Sequence, residues 1–413
     1  METSVFSRLV KKSSNSNQSF IDCVHLNDHH TAPLAYLLNQ ARDRHHRAMW
    51  EETSIVFAVH NNLPAYQGLY EAEDRAQLSF AQDSALFRFG GAAEYHNKIN
   101  YLKMGMISSD VITYVSRQFM VDALTNAYGS GLDGVAHELL DQGRLWGVLN
   151  GIDHESWDPA QDEYIQTSYH GGLPAEDIMA AKLKNKSNLQ NELGLPVSDV
   201  PVFGMVARLT PEKGFQAAIQ SVHEQIERNR MIQFVFSGDG SLEIQKALQT
   251  LTETYPNNVR LTEKFTREME RKIIAGSDIM MVFSEYEPCG LPQIYAMRYG
   301  TLPWVHAVGG LHESIDAQNE VGDTWNGFKY TSLPKENYED IQNWFDLAPK
   351  VRQEKIKEIM SQDFSWINTA VPEYQALYRN AGYDRLFRQL LNQTARVEQS
   401  VFDEFGTLLE LDT

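Results

Sequence analysis

A short acidic turn carries the strongest chemical signal in this sequence. Glu287 is followed at once by Pro288, Cys289, Gly290 and Leu291, with an apolar run behind them. This order predicts a turn from a strand into a helix, with a carboxylate beside free backbone N–H groups. The orphan amides and the dipole of a helix N-terminus favour anions. We therefore expect Glu287 to be catalytic and to hold sugar hydroxyls, and the backbone of Cys289, Gly290 and Leu291 to bind a diphosphate. For this motif alone, an ordinary strand-to-helix corner is the alternative.

Two cations stand five residues apart in a second candidate loop. Arg208 and Lys213 follow a predicted strand and precede a predicted helix. Arginine can bind a phosphate through two parallel N–H groups, whereas lysine acts as a point charge. The pair is therefore predicted to neutralise phosphate as part of the catalytic machinery, unless it is simply a solvated pair at a loop.

Polar residues also end two other predicted strands. Asn150 follows the burst Leu145 to Leu149, and His60 follows Ser54 to Val59. Ligands of open α/β sheets bind at the carboxyl edge of the strands. His60 could hydrogen-bond a sugar hydroxyl or relay a proton. Each signal taken alone also fits a turn residue or a histidine with a structural partner.

A histidine-rich cluster has the composition of a metal site but not its arrangement. Its members are His25, Asp28, His29 and His30, with His45 and His46 further on. His25 belongs to a predicted strand and Asp28 to His30 follow its end, while His45 and His46 lie on a polar stretch, and this is not the arrangement of ligands in a zinc site. We therefore expect no metal and no other cofactor.

The elements that position these residues alternate between strand-like and helix-like patterns, which predicts an α/β protein with parallel sheets. The predicted strands are Phe20 to Leu26, Ser54 to Val59, Val111 to Val115, Leu145 to Leu149, Val202 to Val206, Ile232 to Ser237, Val259 to Leu261, Ile279 to Phe283 and Leu302 to Val305. A polar stretch from Asn150 to about Gln190 is interpreted as a linker. We expect a first domain over 1–155, a second over 156–382, and a helical, acidic tail over 383–413.

The charge and composition of the chain argue against some classes of binding partner. The 413 residues carry a formal net charge of -19, which argues against nucleic acid and anionic membranes because the summed field repels polyanions. No run approaches the roughly 18 apolar residues of a membrane span. Cys23 and Cys289 are the only cysteines and have no disulfide spacing. A cytoplasmic location is expected, with a plastid as the alternative because the first twenty residues are basic and rich in serine.

Taken together, these motifs resemble bacterial glycogen synthases and plant starch synthases from about Asp22 to Asn380. Further matches are Tyr66 to Gly68, Tyr101 to Gly105, Gly143 to Leu145, Tyr299 to Pro303, Gly309 to Leu311 and Phe364 to Trp366. The resemblance implies the glycosyltransferase-B fold, which has two Rossmann-like domains. It also implies glucose transfer from ADP-glucose or UDP-glucose to an α-1,4-glucan, with retention and without metal.

The resemblance assigns roles to individual positions. Arg208 and Lys213 would bind the donor diphosphate, and Glu287 the glucose hydroxyls. The remaining positions are His60 and Asn150 beside the sugar, Phe265 stacking near the nucleotide, and Asp28 on the acceptor side.

The sequence also departs from this family. Its members begin with a strand and a K-x-G-G-L loop, and roughly a hundred residues precede the segment that matches Phe20 to Asp28, whereas only about twenty do here. The first domain is thus expected to lack its first strands, and a partner chain or self-association to cover its sheet edge. At the donor turn, Pro292 replaces a threonine and Glu285 an arginine, which predicts weaker phosphate binding. Two alternatives to an active glucan synthase therefore stay open: a non-catalytic glucan-binding or regulatory subunit, and a glycosyltransferase with another acceptor.

Overall fold

Strands alternate with helices along the chain in a computed structural model that describes residues 21–45, 53–77, 84–88, 90–228, 231–262, 264–317 and 325–382. The chain divides into two units. The first comprises residues up to Tyr114, Ala123–Val148 and the chain from Pro372; the second comprises Val115–Asp122 and Leu149–Val371. The divisions near residues 148 and 371 differ from those expected at 155 and 382, and the short stretch Val115–Asp122 goes with the second unit.

The first unit contains one parallel sheet and one small antiparallel sheet. Its strands are β1 Cys23–Asn27, β2 Ser54–Val59, β3 Leu69–Glu71, β4 Glu94–Tyr95, β5 Lys98–Asn100, β6 Val111–Tyr114 and β7 Leu145–Gly147. The parallel sheet has the order β1-β2-β6-β7, and the antiparallel one β3-β5-β4. Both β2 and β6 are buried along their whole length, as expected of strands covered on both faces.

In the described part of the chain, the α-helices between these strands are α1 Asp28–His45, α2 Ser84–Phe87, α3 Tyr101–Ser108, α4 Arg117–Ala123 and α5 Asp133–Asp141. All of α4 except its last residue lies in the stretch that goes with the second unit. Asn100 caps α3 by accepting a hydrogen bond from the Lys103 amide. A Cβ on Gly105 of α3 would collide with the Phe57 ring of β2, so this glycine permits close packing of α3 on the sheet.

The second unit contains a six-stranded parallel sheet. Its strands are β8 Val202–Val206, β9 Gln233–Ser237, β10 Val259–Leu261, β11 Ile279–Val282, β12 Leu302–His306 and β13 Phe328–Tyr330. The order β10-β9-β8-β11-β12-β13 is that of a Rossmann sheet, in which the order reverses between the first and fourth strands, here β8 and β11. Ligands of such sheets bind at this switch point, outside the carboxyl ends of the strands.

The helices of this unit are α6 Ala175–Glu192, α7 Phe215–Glu227, α8 Leu242–Thr254, α9 Arg267–Gly276, α10 Pro292–Arg298, α11 Gly309–Ser314, α12 Tyr338–Asp346 and α13 Pro349–Met360. A π-helix over Trp366–Ala370 leads into a helix over 371–382. The core of the sheet is aromatic: Phe203 packs against Phe234 and Trp304, and Phe283 meets Trp304 edge-on at 4.7 Å between ring centroids.

The predicted linker from Asn150 to about Gln190 is wrong. The stretch belongs to the second unit, and α6 occupies its second half. Tyr169 is buried and donates to the Tyr299 carbonyl at 2.7 Å. The Trp157 ring stacks on Tyr295 at 3.4 Å. The polarity of this stretch indicated a linker, but its polar and aromatic groups find partners within the second unit.

Some expectations lie outside the described residues, namely Phe20, His46 and the tail over 383–413. The coverage of the first sheet edge stays a prediction. In the part of the chain that is described, no helix is long and apolar enough to cross a membrane, and no three acidic, histidine or cysteine residues are grouped as metal ligands would be.

Candidate active site

The two strongest sequence motifs meet at the switch point of the second sheet. Lys213 lies in the loop after β8, and Glu287 in the turn after β11. These strands are neighbours, so their carboxyl ends deliver the two loops to one place. The Lys213 Nζ atom is 2.5 Å from Glu287 Oε2. The structure therefore brings together two residues that the sequence separates by 74 positions.

This ion pair is largely shielded from water. The Lys213 and Glu287 side chains keep 19% and 13% of their exposure. The Ser284 hydroxyl donates to the same carboxylate oxygen at 2.8 Å. The Glu285 amide donates to the Glu212 carbonyl at 2.8 Å, so the two loops are also joined through their backbones. No sequence pattern assigns a role to Ser284, because its contact with Glu287 depends on how the turn folds back.

A pair of glycines supports the acidic turn. The Gly310 amide donates to the carbonyls of Glu287 at 3.1 Å and Pro288 at 3.2 Å. A Cβ on Gly309 would collide with the Glu287 carbonyl, and one on Gly310 with the Cys289 carbonyl. Only residues without a side chain allow α11 to approach the turn this closely.

The turn leaves backbone amides available. Helix α10 begins at Pro292, and its N-cap residue Leu291 supplies no side-chain cap. The buried Gln293 side chain donates to the Cys289 and Gly290 carbonyls at 3.4 and 2.5 Å. Within the described ranges, the amides of Cys289, Gly290 and Leu291 donate to no backbone or side-chain acceptor. This is the arrangement expected of an anion site at a strand-to-helix turn.

Cys289 and Asn150 lie next to each other at this turn. Burial raises the pKa of the Cys289 thiol to about 12, although the Asn150 backbone N–H acts in the opposite direction. The thiol is therefore neutral and packs as part of the turn. The Asn150 Oδ1 atom is buried and has no hydrogen-bond partner among the described residues, which leaves an acceptor to be satisfied beside the turn.

Two further candidates lie at the same edge of the sheet without joining the pair. Arg208 keeps 64% of its side-chain exposure, and its Nη2 atom is 3.8 Å from Glu212 Oε1. Phe265 follows β10 with 41% exposure, and its amide donates to Asp239 Oδ2 at 3.4 Å. Their assignments to the diphosphate and the nucleotide stay predictions.

The remaining candidates, His60 and Asp28, belong to the first unit and contact each other. The His60 amide donates to Asp28 Oδ1 at 2.8 Å, and its ring Nε2 is 2.9 Å from Asn27 Oδ1. Asp28 has a φ of 58°, a left-handed conformation that is uncommon outside glycine. Both residues stand at the carboxyl ends of the adjacent strands β1 and β2, as the sequence pattern predicted.

Comparisons with known proteins agree with this geometry. Residues 2–138 match the family model described as starch synthase catalytic domain, and residues 187–345 match that of glycosyl transferases group 1. A glycogen synthase of Koribacter versatilis is 35% identical over 365 residues, which is 87% of this chain and 72% of the relative. The chain belongs to the glycogen and starch synthase family. A glycogen synthase of Geotalea daltonii is 36% identical over 362 residues, covering 87% and 71% of the two chains.

A solved structure of the same family supports the fold. The catalytic domain of starch synthase IV from Arabidopsis thaliana, bound to ADP and acarbose, is 28% identical and has a TM-score of 0.76, covering 88% of this chain and 74% of that one. The resemblance inferred from the motifs is thus confirmed. The fold is glycosyltransferase-B, and the chain is a glycosyltransferase of the glycogen and starch synthase type.

Proposed function

We propose that this protein is a retaining glucosyltransferase that moves glucose from ADP-glucose to the non-reducing end of an α-1,4-glucan, with UDP-glucose as the alternative donor. The observation that carries the proposal is the Lys213–Glu287 pair beside the available amides of the turn. The Arabidopsis structure contains ADP and acarbose, which supports an adenosine diphosphate sugar as the donor and a glucan as the acceptor.

The chemistry requires charge neutralisation at the diphosphate. As the bond between glucose and phosphate breaks, negative charge develops on the leaving oxygen, and preorganised cations and N–H dipoles stabilise it. In this proposal Lys213, Arg208 and the turn amides supply that stabilisation, so the step needs no metal. Glu287 holds the glucose hydroxyls, while the Ser284 hydroxyl keeps its carboxylate in place.

The other roles are also part of the proposal. Asn150 and His60 hold the transferred sugar, and Asp28 acts on the acceptor side. Phe265 offers its exposed ring to the base of the donor by stacking, which any base allows. Stacking therefore does not distinguish ADP-glucose from UDP-glucose, and an assay has to decide which donor the protein prefers.

The experiment is transfer of labelled glucose to glycogen from ADP-glucose and from UDP-glucose in parallel, with Lys213→Ala as the inactive control. We expect incorporation that requires Lys213 and a product that α-1,4-specific digestion releases. Donor binding without incorporation into glycogen would favour another acceptor. Glycogen binding with neither donor binding nor incorporation would replace the proposal with that of a non-catalytic glucan-binding subunit.

A further inference from the structure

A short segment that lies far from the acidic turn in the sequence is hydrogen-bonded to the backbone of that turn. Val115–Asp122 belongs to the second unit, whereas the residues on either side of it belong to the first. Ser116 in this segment has no exposed surface. Its hydroxyl donates to the Pro288 carbonyl at 2.6 Å and accepts from the Phe119 amide at 3.0 Å. The hydroxyl therefore caps α4 and bonds the turn at the same time.

Helix α4 is attached to α11 at both of its ends. At the start of α4, Glu313 Oε2 accepts from the amides of Arg117 at 2.6 Å and Gln118 at 3.1 Å. Near its end, Asp122 Oδ2 accepts from the Gly309 amide at 2.8 Å. Since α11 also carries the Gly310 amide that bonds the turn, the helix pair and the turn form one hydrogen-bonded assembly.

Because a peptide unit is planar, the hydrogen bond from Ser116 to the Pro288 carbonyl also affects the orientation of the next amide in the turn. The Pro288 carbonyl and the Cys289 amide belong to one planar peptide unit, which is trans because the described chain has no cis bond. Fixing the carbonyl therefore fixes the direction of the N–H on the opposite side. The Ser116 hydroxyl and the Gly310 amide both bond this carbonyl, so they set where the Cys289 N–H points.

We propose that Ser116 is a positioning residue for the donor site: its hydroxyl orients the Pro288–Cys289 peptide, and with it the Cys289 amide and the adjacent Glu287 carboxylate. This inference rests on the proposed function, because it assigns the oriented amide to the donor diphosphate. It adds to the site a residue that touches neither the donor nor the acceptor.

The test compares Ser116→Ala with Ser221→Ala. Ser221 is a matched control, since it is 1% exposed and its hydroxyl donates to the Ala217 carbonyl within α7 at 2.9 Å. We expect Ser116→Ala to raise the Kd for ADP-glucose and to lower kcat/KM by roughly tenfold, the scale of one buried hydrogen bond. Ser116→Thr, which keeps the hydroxyl, should recover most of the loss. Ser221→Ala should leave both quantities within about twofold of the unmutated protein.

Amide hydrogen exchange of the 284–293 peptide gives a second measurement that needs no activity. Faster exchange of this peptide in Ser116→Ala, with the exchange of β9 unchanged, supports the positioning role. If the unmutated protein binds no nucleotide sugar, only the proposed function is overturned, and the exchange result still stands. Equal exchange and equal donor affinity in Ser116→Ala and Ser221→Ala would overturn the positioning role. If Ser116→Ala does not fold, Asp122→Ala releases the Gly309 amide instead and should weaken donor binding by roughly threefold, and an unchanged affinity in that variant would count against the inference.

Discussion

Neutralising either partner of the Lys213–Glu287 pair should abolish glucose transfer but have opposite effects on ADP binding. Lys213 is already paired with a carboxylate before any donor arrives. Lys213→Ala removes a cation from the diphosphate site and leaves Glu287 to repel the ligand. Glu287→Gln removes that repulsion and frees Lys213 for the phosphates. ADP is the informative ligand, because it lacks the glucose that Glu287 is proposed to hold.

The size of each effect follows from the charges. Losing one charge-assisted hydrogen bond costs about 1.5–3 kcal/mol, which is roughly 10- to 150-fold weaker binding for Lys213→Ala. Two charges about 6 Å apart at an effective dielectric constant of about 40 interact by about 1.4 kcal/mol, so Glu287→Gln should bind ADP up to about tenfold more tightly. Each variant also leaves a shielded charge without its partner. Because both side chains keep less than a fifth of their exposure, we expect each to lower the free energy of unfolding by about 1–3 kcal/mol, between the values for exposed and buried pairs.

Calorimetric titration with ADP at one fixed ionic strength measures the binding effects, and urea unfolding measures the stability. Lys272→Ala is the matched control, because Lys272 is also largely shielded, at 15% exposure, and pairs with Glu192 and Glu268 away from the site. It makes the same change in net charge and should leave ADP binding unchanged. If Glu287→Gln weakens ADP binding as much as Lys213→Ala does, the reasoning from charge competition is refuted.

Three further predictions concern stability and packing. Burial, and then the charge of His60, lowers the pKa of His25 from 6.5 to about 4, so the unfolded chain takes up a proton that the folded one does not. Stability should therefore fall by up to about 3 kcal/mol between pH 6.5 and 4, and urea titrations of His25→Gln should lack that part of the slope. Gln225 is fully buried, and neither polar atom of its side-chain amide has a partner among the described residues. We therefore expect Gln225→Leu to raise the free energy of unfolding by about 1 kcal/mol. Gln293→Leu, which loses hydrogen bonds to three acceptors, should lower the free energy of unfolding in the same assay. Gly310→Ala should reduce glucose transfer at least tenfold, because the added Cβ collides with the Cys289 carbonyl. Gly134→Ala, whose Cβ meets nothing within 4 Å, should leave glucose transfer unchanged. Equal transfer activities in the two variants would contradict the packing argument.

The sequence predicted most of the sheet but little of what holds the site. Largely apolar runs located β2 and β8 with their observed bounds, because a parallel strand that is covered on both faces has no polar side to interrupt the run. Reasoning from composition failed over the polar stretch after Asn150, where polarity was interpreted as the sign of a linker. The partners of that stretch lie far along the chain, as with the Tyr169 hydroxyl and the Tyr299 carbonyl. Local patterns do not contain such pairings.

The candidate site shows the same division. The sequence singles out Glu287 and Lys213 as candidates because their residue types are suited to the chemistry and because they follow strands. Their contact was not predictable from spacing, since it depends on β8 and β11 being neighbours. Ser116 lies 172 residues from Pro288, and a serine after a strand has no chemical signature of its own.

The structure also changes how the departures at the donor turn should be weighed. Pro292 lacks an amide, but it stands at the first position of α10, where the helix itself requires no N–H. The loss is one potential donor, while three turn amides remain available. Glu285 is exposed, and its charge acts on Tyr330: burial raises the pKa of that phenol first, and Glu285 raises it further. Tyr330 ends β13, which lies two strands beyond β11 in the sheet, whereas Lys213 follows β8 on the other side of β11. One lost contact rather than two corresponds to a deficit of about tenfold in donor affinity, which a glycosyltransferase that keeps its lysine, its acidic residue and its supporting glycines can tolerate.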